Sequence, residues 1–187
     1  MAAPAMNVFF ALLTVVADVI VLASVATWIW SRSSPRGKAA LERLRLWATD
    51  GGLLLGWSIA LVATLGSLYY SEIANFTPCK LCWYQRIAMY PQAIVLGIAA
   101  LRNDHHIRRY VLPIVSIGAA ISIYHYLLER FPSLESAGSC DPTAPCTTVW
   151  VWEFHFVSIP FMALSGFAAI AVLLMLSPTQ NDQRREG

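Results

Sequence analysis

The chain has 187 residues, of which 57% are hydrophobic and only 13% charged, and its mean hydropathy is +0.57. Soluble domains carry about 25% charged residues, so this composition excludes an ordinary cytosolic enzyme, a disordered chain and a small disulfide-dense secreted module. The formal net charge of +2 gives no electrostatic footprint for nucleic acid. What remains is a membrane protein.

About 20 apolar residues cross a bilayer as a helix. Five stretches qualify, at 6–30, 52–70, 83–101, 111–128 and 158–176. The first contains Asp18 and the third Arg86. No Lys or Arg precedes the first stretch, so it lacks the basic head of a signal peptide and reads as a retained helix. Segment 31–50 follows with Arg32, Arg36, Lys38, Arg43 and Arg45. Within it, 38–48 has apolar residues near helical spacing and reads either as an amphipathic helix on the membrane surface or as a solvated basic loop. Gly52 and Gly56 open the second stretch as a GxxxG, a weak signal for close helix packing.

Segment 102–110 carries Arg102, Arg108 and Arg109, and the tail carries Arg184 and Arg185. With five spans, these segments and 31–50 share one side and hold ten of the thirteen basic residues. Basic loops stay cytoplasmic, so the expected topology is N-terminus out and C-terminus in. Loops 71–82 and 129–157 then face outward. The expected fold is an all-α integral membrane protein: a four-helix transmembrane bundle with one extra N-terminal transmembrane helix. The expected parts are 1–51 (first helix and basic segment), 52–177 (four-helix domain with outward loops) and 178–187 (cytoplasmic tail).

All four cysteines fall in the two outward loops: Cys79 and Cys82 in one, Cys140 and Cys146 in the other. Outside the bacterial cytoplasm disulfides persist. Four cysteines allow three pairings; the spacing favours Cys79–Cys82 and Cys140–Cys146. Cys79-Lys80-Leu81-Cys82 is a CxxC just before a helix, where a thiolate is stabilised and its pKa falls. Such a pair closes too short a loop to stabilise a fold by much, which favours redox use over a staple. A haem attachment site needs His after the second cysteine, and Trp83 stands there. Pro142 and Pro145 keep the second pair's loop non-helical, and exposed disulfides are the labile, oxidising ones.

Arg86 lies one helical turn after Cys82, on the same face. An arginine inside a span costs about 2.5–3.5 kcal/mol at mid-bilayer and marks a functional site by default; snorkelling to the headgroups is the alternative. Met89 and Tyr90 continue that face. One fixed cation on an apolar, aromatic wall suits a flat ring whose oxygen becomes negative on reduction. His125, near the outer end of the fourth span, is expected to face Arg86 across the bundle and to serve the same oxygen. Asp18 reads as protonated or bonded to a neighbouring helix.

These residues resemble the DsbB/BdbC family of quinone-dependent disulfide-forming bacterial membrane proteins, on the side of its BdbC branch. The resemblance rests on TPCKLCWYQRIAMYPQ at 77–92, SIYHYLLERFP at 122–132, PCTTVW at 145–150 and FVSIPFMAL at 156–164. It implies a four-helix bundle in the bacterial inner membrane with its redox loops on the extracytoplasmic side. It implies a membrane quinone, ubiquinone or menaquinone, as electron acceptor. It also implies a secreted or membrane-anchored thioredoxin-fold CxxC protein, DsbA/BdbD-like, as thiol donor. By motif position Cys82 is implied to contact the quinone, Cys79 to exchange with the loop pair, and Arg86 and His125 to bind the quinone ring. Cys140 is expected to face the partner. Two departures stand out. Gln85 stands where Glu is frequent in the proteobacterial branch, and the loop cysteines are set close. Residues 1–51 lie outside the resemblance. Two rival readings are a vitamin K epoxide reductase-like protein, whose CxxC would follow the loop cysteines, and a non-catalytic subunit or transporter with stapled loops.

Overall fold

The computed structural model describes residues 2–135, 140–141 and 143–177. Gly138, Pro142 and the tail with Arg184 and Arg185 lie outside the described residues. Among the described residues there are five long helices: α1 (Ala2–Ser31), α2 (Pro35–Leu68), α3 (Lys80–Arg102), α4 (Arg108–Arg130) and α5 (Ile159–Leu176). Four are long and apolar enough to span a bilayer; the exception is α3. Gln85, Arg86 and Gln92 lower its hydropathy; Gln85 and Gln92 are buried inside the bundle, while Ile87, Ile94 and Ile98 of the same helix form an exposed apolar face. The chain is thus an all-helical, multi-pass membrane protein, and each predicted span is carried by one of these helices, with 52–70 running on into the π-helical turn after α2 and 158–176 starting on the N-cap of α5.

Local chemistry sets the helix ends. Ser34 is extended and Pro35 opens α2, where a missing N–H costs nothing. A π-helical turn, Tyr69–Ile73, continues α2 beyond Leu68. Asn103 ends α3 in the left-handed region at φ 51°, a conformation asparagine tolerates well. Pro160 lies in the first turn of α5.

Segment 38–48 is neither a surface helix nor a loop: it forms the first turns of α2, which crosses positions 51 and 52 without a break. The reason is tertiary. Leu41 and Ala48 are buried in a cluster with Leu176, and Gly52 lies so close to α5 that an added Cβ would meet Ser177 Oγ at 2.9 Å. Ser177 Oγ also donates to the Ala48 carbonyl at 2.9 Å.

The main core is formed by Leu53, Ala60, Met89, Leu96, Val115, Phe167 and Ile170 from α2, α3, α4 and α5. At one end, Arg108 donates to the Ser177 carbonyl at 3.0 Å, which ties the α3–α4 connection to the end of α5. At the other end the four cysteines converge: Cys79, Cys146 and Leu128 form a buried cluster with Cys82 and Cys140 packed against it.

Candidate functional site

Cys79 is the N-cap of α3, with extended backbone, and its sulfur accepts the Cys82 backbone N–H at 3.4 Å. The two sulfurs are 3.2 Å apart and unbonded. His125 Nε2 lies 3.5 Å from Cys79 Sγ. Its other nitrogen, Nδ1, faces Gln85 Nε2 at 3.4 Å. With the amide donating, Nδ1 is the acceptor and Nε2 is the ring nitrogen that faces the sulfur. The Cys79 thiol is held below the ordinary cysteine range, chiefly by its hydrogen bond with the Cys82 thiol, and further by His125 and the Cys82 backbone N–H; burial opposes this.

Arg86 points elsewhere. Its Nε donates to Ser67 Oγ at 3.0 Å and its Nη2 to the Ser67 carbonyl at 3.2 Å. Tyr90 OH donates to the same Ser67 Oγ at 3.1 Å, and the guanidinium lies 5.2 Å from the Trp83 ring centroid. Arg86 is thus docked on α2.

A cavity of about 380 Å³ opens beside it, within the range that holds small ligands (about 300–1,000 Å³). Cys82, Gln85, Arg86, Met89, Tyr90 and Ser67 line it, with Trp150 and apolar residues of α1, α2 and α5 making up most of the rest. Among the described residues Cys82 is the sole cysteine on its wall. A much smaller cavity of about 20 Å³ is lined by Cys79, Cys82, His125 and Glu129. Cys82 borders both.

Three of the expected ring-binding residues, Arg86, Met89 and Tyr90, therefore share one cavity with Cys82, and His125 does not. The expectation that His125 faces Arg86 is corrected. Its side chain is buried between Cys79 and Gln85, because the α4 face that carries it packs on the Gln85 side of α3. Within the CxxC, the N-cap position and the histidine favour the thiolate on Cys79. Ser67, Glu129 and the partnership of Gln85 were missed. Ser67 is a small polar residue in an apolar stretch, which is its one sequence signal.

The loop pair is disulfide-bonded, Cys140 to Cys146. Cys146 is fully buried beside Cys79, whereas Cys140 is half-buried. Asp141 Oδ1 accepts both the backbone N–H (2.8 Å) and the hydroxyl (2.7 Å) of Thr143, which tightens the turn between the cysteines and holds the exposed Asp141 carboxyl below the usual carboxylate range. Further along, Tyr126 OH donates to the Phe156 carbonyl at 3.1 Å, and Arg130 lies 4.1 Å over the Trp152 ring. Phe76 stacks on Trp150 at 4.9 Å, joining the two cysteine-bearing loops.

A helical membrane bundle that gathers two cysteine pairs at one end is built for thiol–disulfide exchange. The profile described as "DsbB: Disulfide bond formation protein DsbB" matches residues 50–177. Among curated proteins, "Probable disulfide formation protein C 1" of Bacillus cereus is 52% identical over 120 residues, 64% of this chain and 86% of that protein. "Disulfide bond formation protein C" of Bacillus subtilis is 47% identical over 124 residues, 66% of this chain and 90% of that protein. "Probable disulfide formation protein" of Deinococcus radiodurans is 46% identical over 134 residues, 67% and 87% respectively. No solved structure gave a significant match. The chain belongs to the DsbB family of disulfide bond formation proteins. Its role is in disulfide formation, an oxidoreductase activity that works on a thiol-bearing protein partner. Residues 1–49, comprising α1 and the start of α2, lie outside the matched region.

Proposed function

We propose that this chain is a membrane thiol oxidase that reoxidises an extracytoplasmic thioredoxin-fold dithiol partner and passes the electrons to a membrane quinone. The observation that carries this reading is the position of Cys82, which touches both the thiol cluster around Cys79 and the elongated apolar cavity headed by Arg86. The basic residues of the α1–α2 and α3–α4 connections lie at the end opposite the cysteines, so the positive-inside rule sets that end in the cytoplasm and the cysteines outside.

The partner's thiolate attacks Cys140, the half-buried loop sulfur; the Cys140–Cys146 bond breaks and Cys146 leaves as thiolate. The partner's second thiolate resolves the mixed disulfide, releasing oxidised partner and Cys140. Cys146, already packed beside Cys79, attacks the Cys79–Cys82 disulfide at Cys79 and Cys82 leaves. Cys140 then attacks Cys146, restoring the loop disulfide and freeing Cys79 as the better-stabilised thiolate. The two electrons now reside in the CxxC dithiol, the arrangement in which the loop pair is bonded and the CxxC is open. The cavity fits a quinone: it is apolar along most of its length and polar at one end, where Arg86, fixed by Ser67, and Tyr90 would hold the ring. A quinone bound there supplies the sink for two electrons and two protons. His125 holds a proton at Nε2 against Cys79, and Gln85 fixes its tautomer.

The test uses purified protein in lipid, a reduced thioredoxin-fold CxxC protein and a quinone. Partner oxidation should require the quinone, with one quinone reduced per disulfide made. Equal oxidation without quinone, or none with it, would refute the reading.

A further inference from the structure

The larger cavity has a wall the family does not supply. From α1, Phe10, Leu13, Thr14, Ala17, Ile20 and Val21 line it, and α1 lies wholly outside the family match. On α2 and the π-helical turn that continues it, the lining runs from Leu55 to Tyr70, a length of about 22 Å at about 1.5 Å per residue. Cys82, Arg86, Ser67 and Tyr90 cluster at one end of this length and Ile20, Leu55 and Val172 lie toward the other, with the hydroxyls of Ser58 and Ser165 among the remaining lining.

The helix is seated. At the polar end the Phe10 ring lies on Gly66, where an added Cβ would come within 2.9 Å of it, and 5.7 Å from the Tyr70 ring. At the far end a tight turn returns the chain into α2, with Ser34 N–H donating to the Trp30 carbonyl at 3.2 Å. Ala17 sits between the Phe10 and turn anchors as a small residue on the cavity wall. The opposite face of α1 is a row of exposed apolar side chains, Val19, Leu22 and Ile29 among them, suited to lipid.

We propose that α1 closes the acceptor cavity between α2 and α5, and that Ala17 sets the room along which the acceptor's hydrocarbon tail lies. This rests on the quinone reading above and adds to it. The ring end is built chiefly from family-shared α2 and α3, and this chain's own α1 completes the tail wall beside α2 and α5. Ala17 is a specificity-determining residue that acts on the tail and leaves the ring's contacts alone.

The test is equilibrium binding by the full chain in nanodiscs, read from quenching of intrinsic tryptophan fluorescence, so it does not depend on turnover. Two probes are compared: a tailless dimethoxy-methyl-benzoquinone and the same ring with a decyl tail. Overfilling a packed wall costs about 1–3 kcal/mol, so Ala17→Phe should weaken the decyl-tailed quinone about 10-fold or more and the tailless ring less than about 2-fold. Ala17→Val, a gentler change that keeps the fold if Phe does not, should weaken the tailed probe about 3-fold. Val19→Phe, on the lipid face, should change neither. Unchanged tailed-quinone affinity in the Ala17 variants, or equal weakening of both probes, would overturn the assignment of α1 while leaving the quinone reading standing. A wild type that binds neither probe, or an Arg86→Ala variant that binds the tailless ring as well as wild type, would instead overturn the quinone reading and this inference with it.

Discussion

The two cysteine pairs are held by different means. Cys79 and Cys82 are built into the first turn of α3, with a backbone N–H, a histidine and each other as fixed neighbours. Cys140 and Cys146 sit in a loop whose placement comes from contacts at its far side, Tyr126 to Phe156 and Arg130 to Trp152, and from the Asp141 turn. The helix-borne pair is fixed in orientation, as suits a pair that must meet a cavity at a set depth. The loop pair has one sulfur fully buried against the inner pair and one half-buried beside it, as would suit a carrier between a diffusing protein and a fixed site. Removing one cysteine from each pair should therefore stop the same turnover at different places. Cys82→Ser and Cys146→Ser should each lower quinone-linked partner oxidation by at least about 1,000-fold, as loss of a covalently acting group does. Cys82→Ser should still form a mixed disulfide between partner and loop, visible on a non-reducing gel. Cys146→Ser, lacking the loop disulfide that the partner attacks, should not. If both trap the partner equally, the division of labour between the pairs is wrong.

A smaller effect separates the cation from its support. Arg86 reaches the cavity because Ser67 holds it through both hydroxyl and carbonyl. A hydrogen bond to a charged group is worth about 1.5–3 kcal/mol, and Ser67→Ala removes the hydroxyl while the backbone contact remains. Ser67→Ala should raise the quinone KM about 3- to 10-fold and leave the partner KM alone, with Arg86→Ala larger in the same direction. Equal shifts in both constants would mean that Arg86 only anchors α3 to α2.

Much of this was legible in the residues. Five apolar runs became five helices because run length and the absence of charge are what a bilayer demands of a helix. The cysteines gathered at one end because alternating spans bring the two loops to the same side. The neighbour of each polar side chain was not legible. Successive helical residues differ by about 100° in direction, so Gln85 and Arg86, adjacent in sequence, reach different helices: Gln85 meets His125 on α4 and Arg86 meets Ser67 on α2. Spacing places Cys82 and Arg86 on one face but cannot say which helix covers it, and so His125 was expected on the wrong side. The continuity of α2 was hidden for a similar reason. The basic segment 31–50 and the apolar stretch from Gly52 read as separate parts, and the packing of Gly52 against Ser177 at the end of α5 carries one helix across that boundary.

The smallest expected effect concerns protons at Cys79. Hydrogen bonding from the Cys82 thiol, then from His125, holds the Cys79 pKa below its ordinary value. The thiolate is the reactive form. As pH falls from the ordinary cysteine value of about 8.5, Cys79 should therefore remain reactive until the pH passes its depressed pKa. In reduced protein, alkylation by iodoacetamide read by peptide mass should give Cys79 a midpoint well below that of Cys140, the half-buried loop sulfur, which serves as internal reference. His125→Ala removes one of the stabilising partners and leaves the Cys82 contact, so the Cys79 midpoint should rise by about one unit without reaching the reference. The Cys140 midpoint should not move. A His125→Ala profile that overlays wild type would make the histidine a packing residue between α3 and α4. A shift of both midpoints together would show that the two pairs titrate as one cluster, and the contrast between a helix-fixed pair and a loop-borne pair would fail at its most local point.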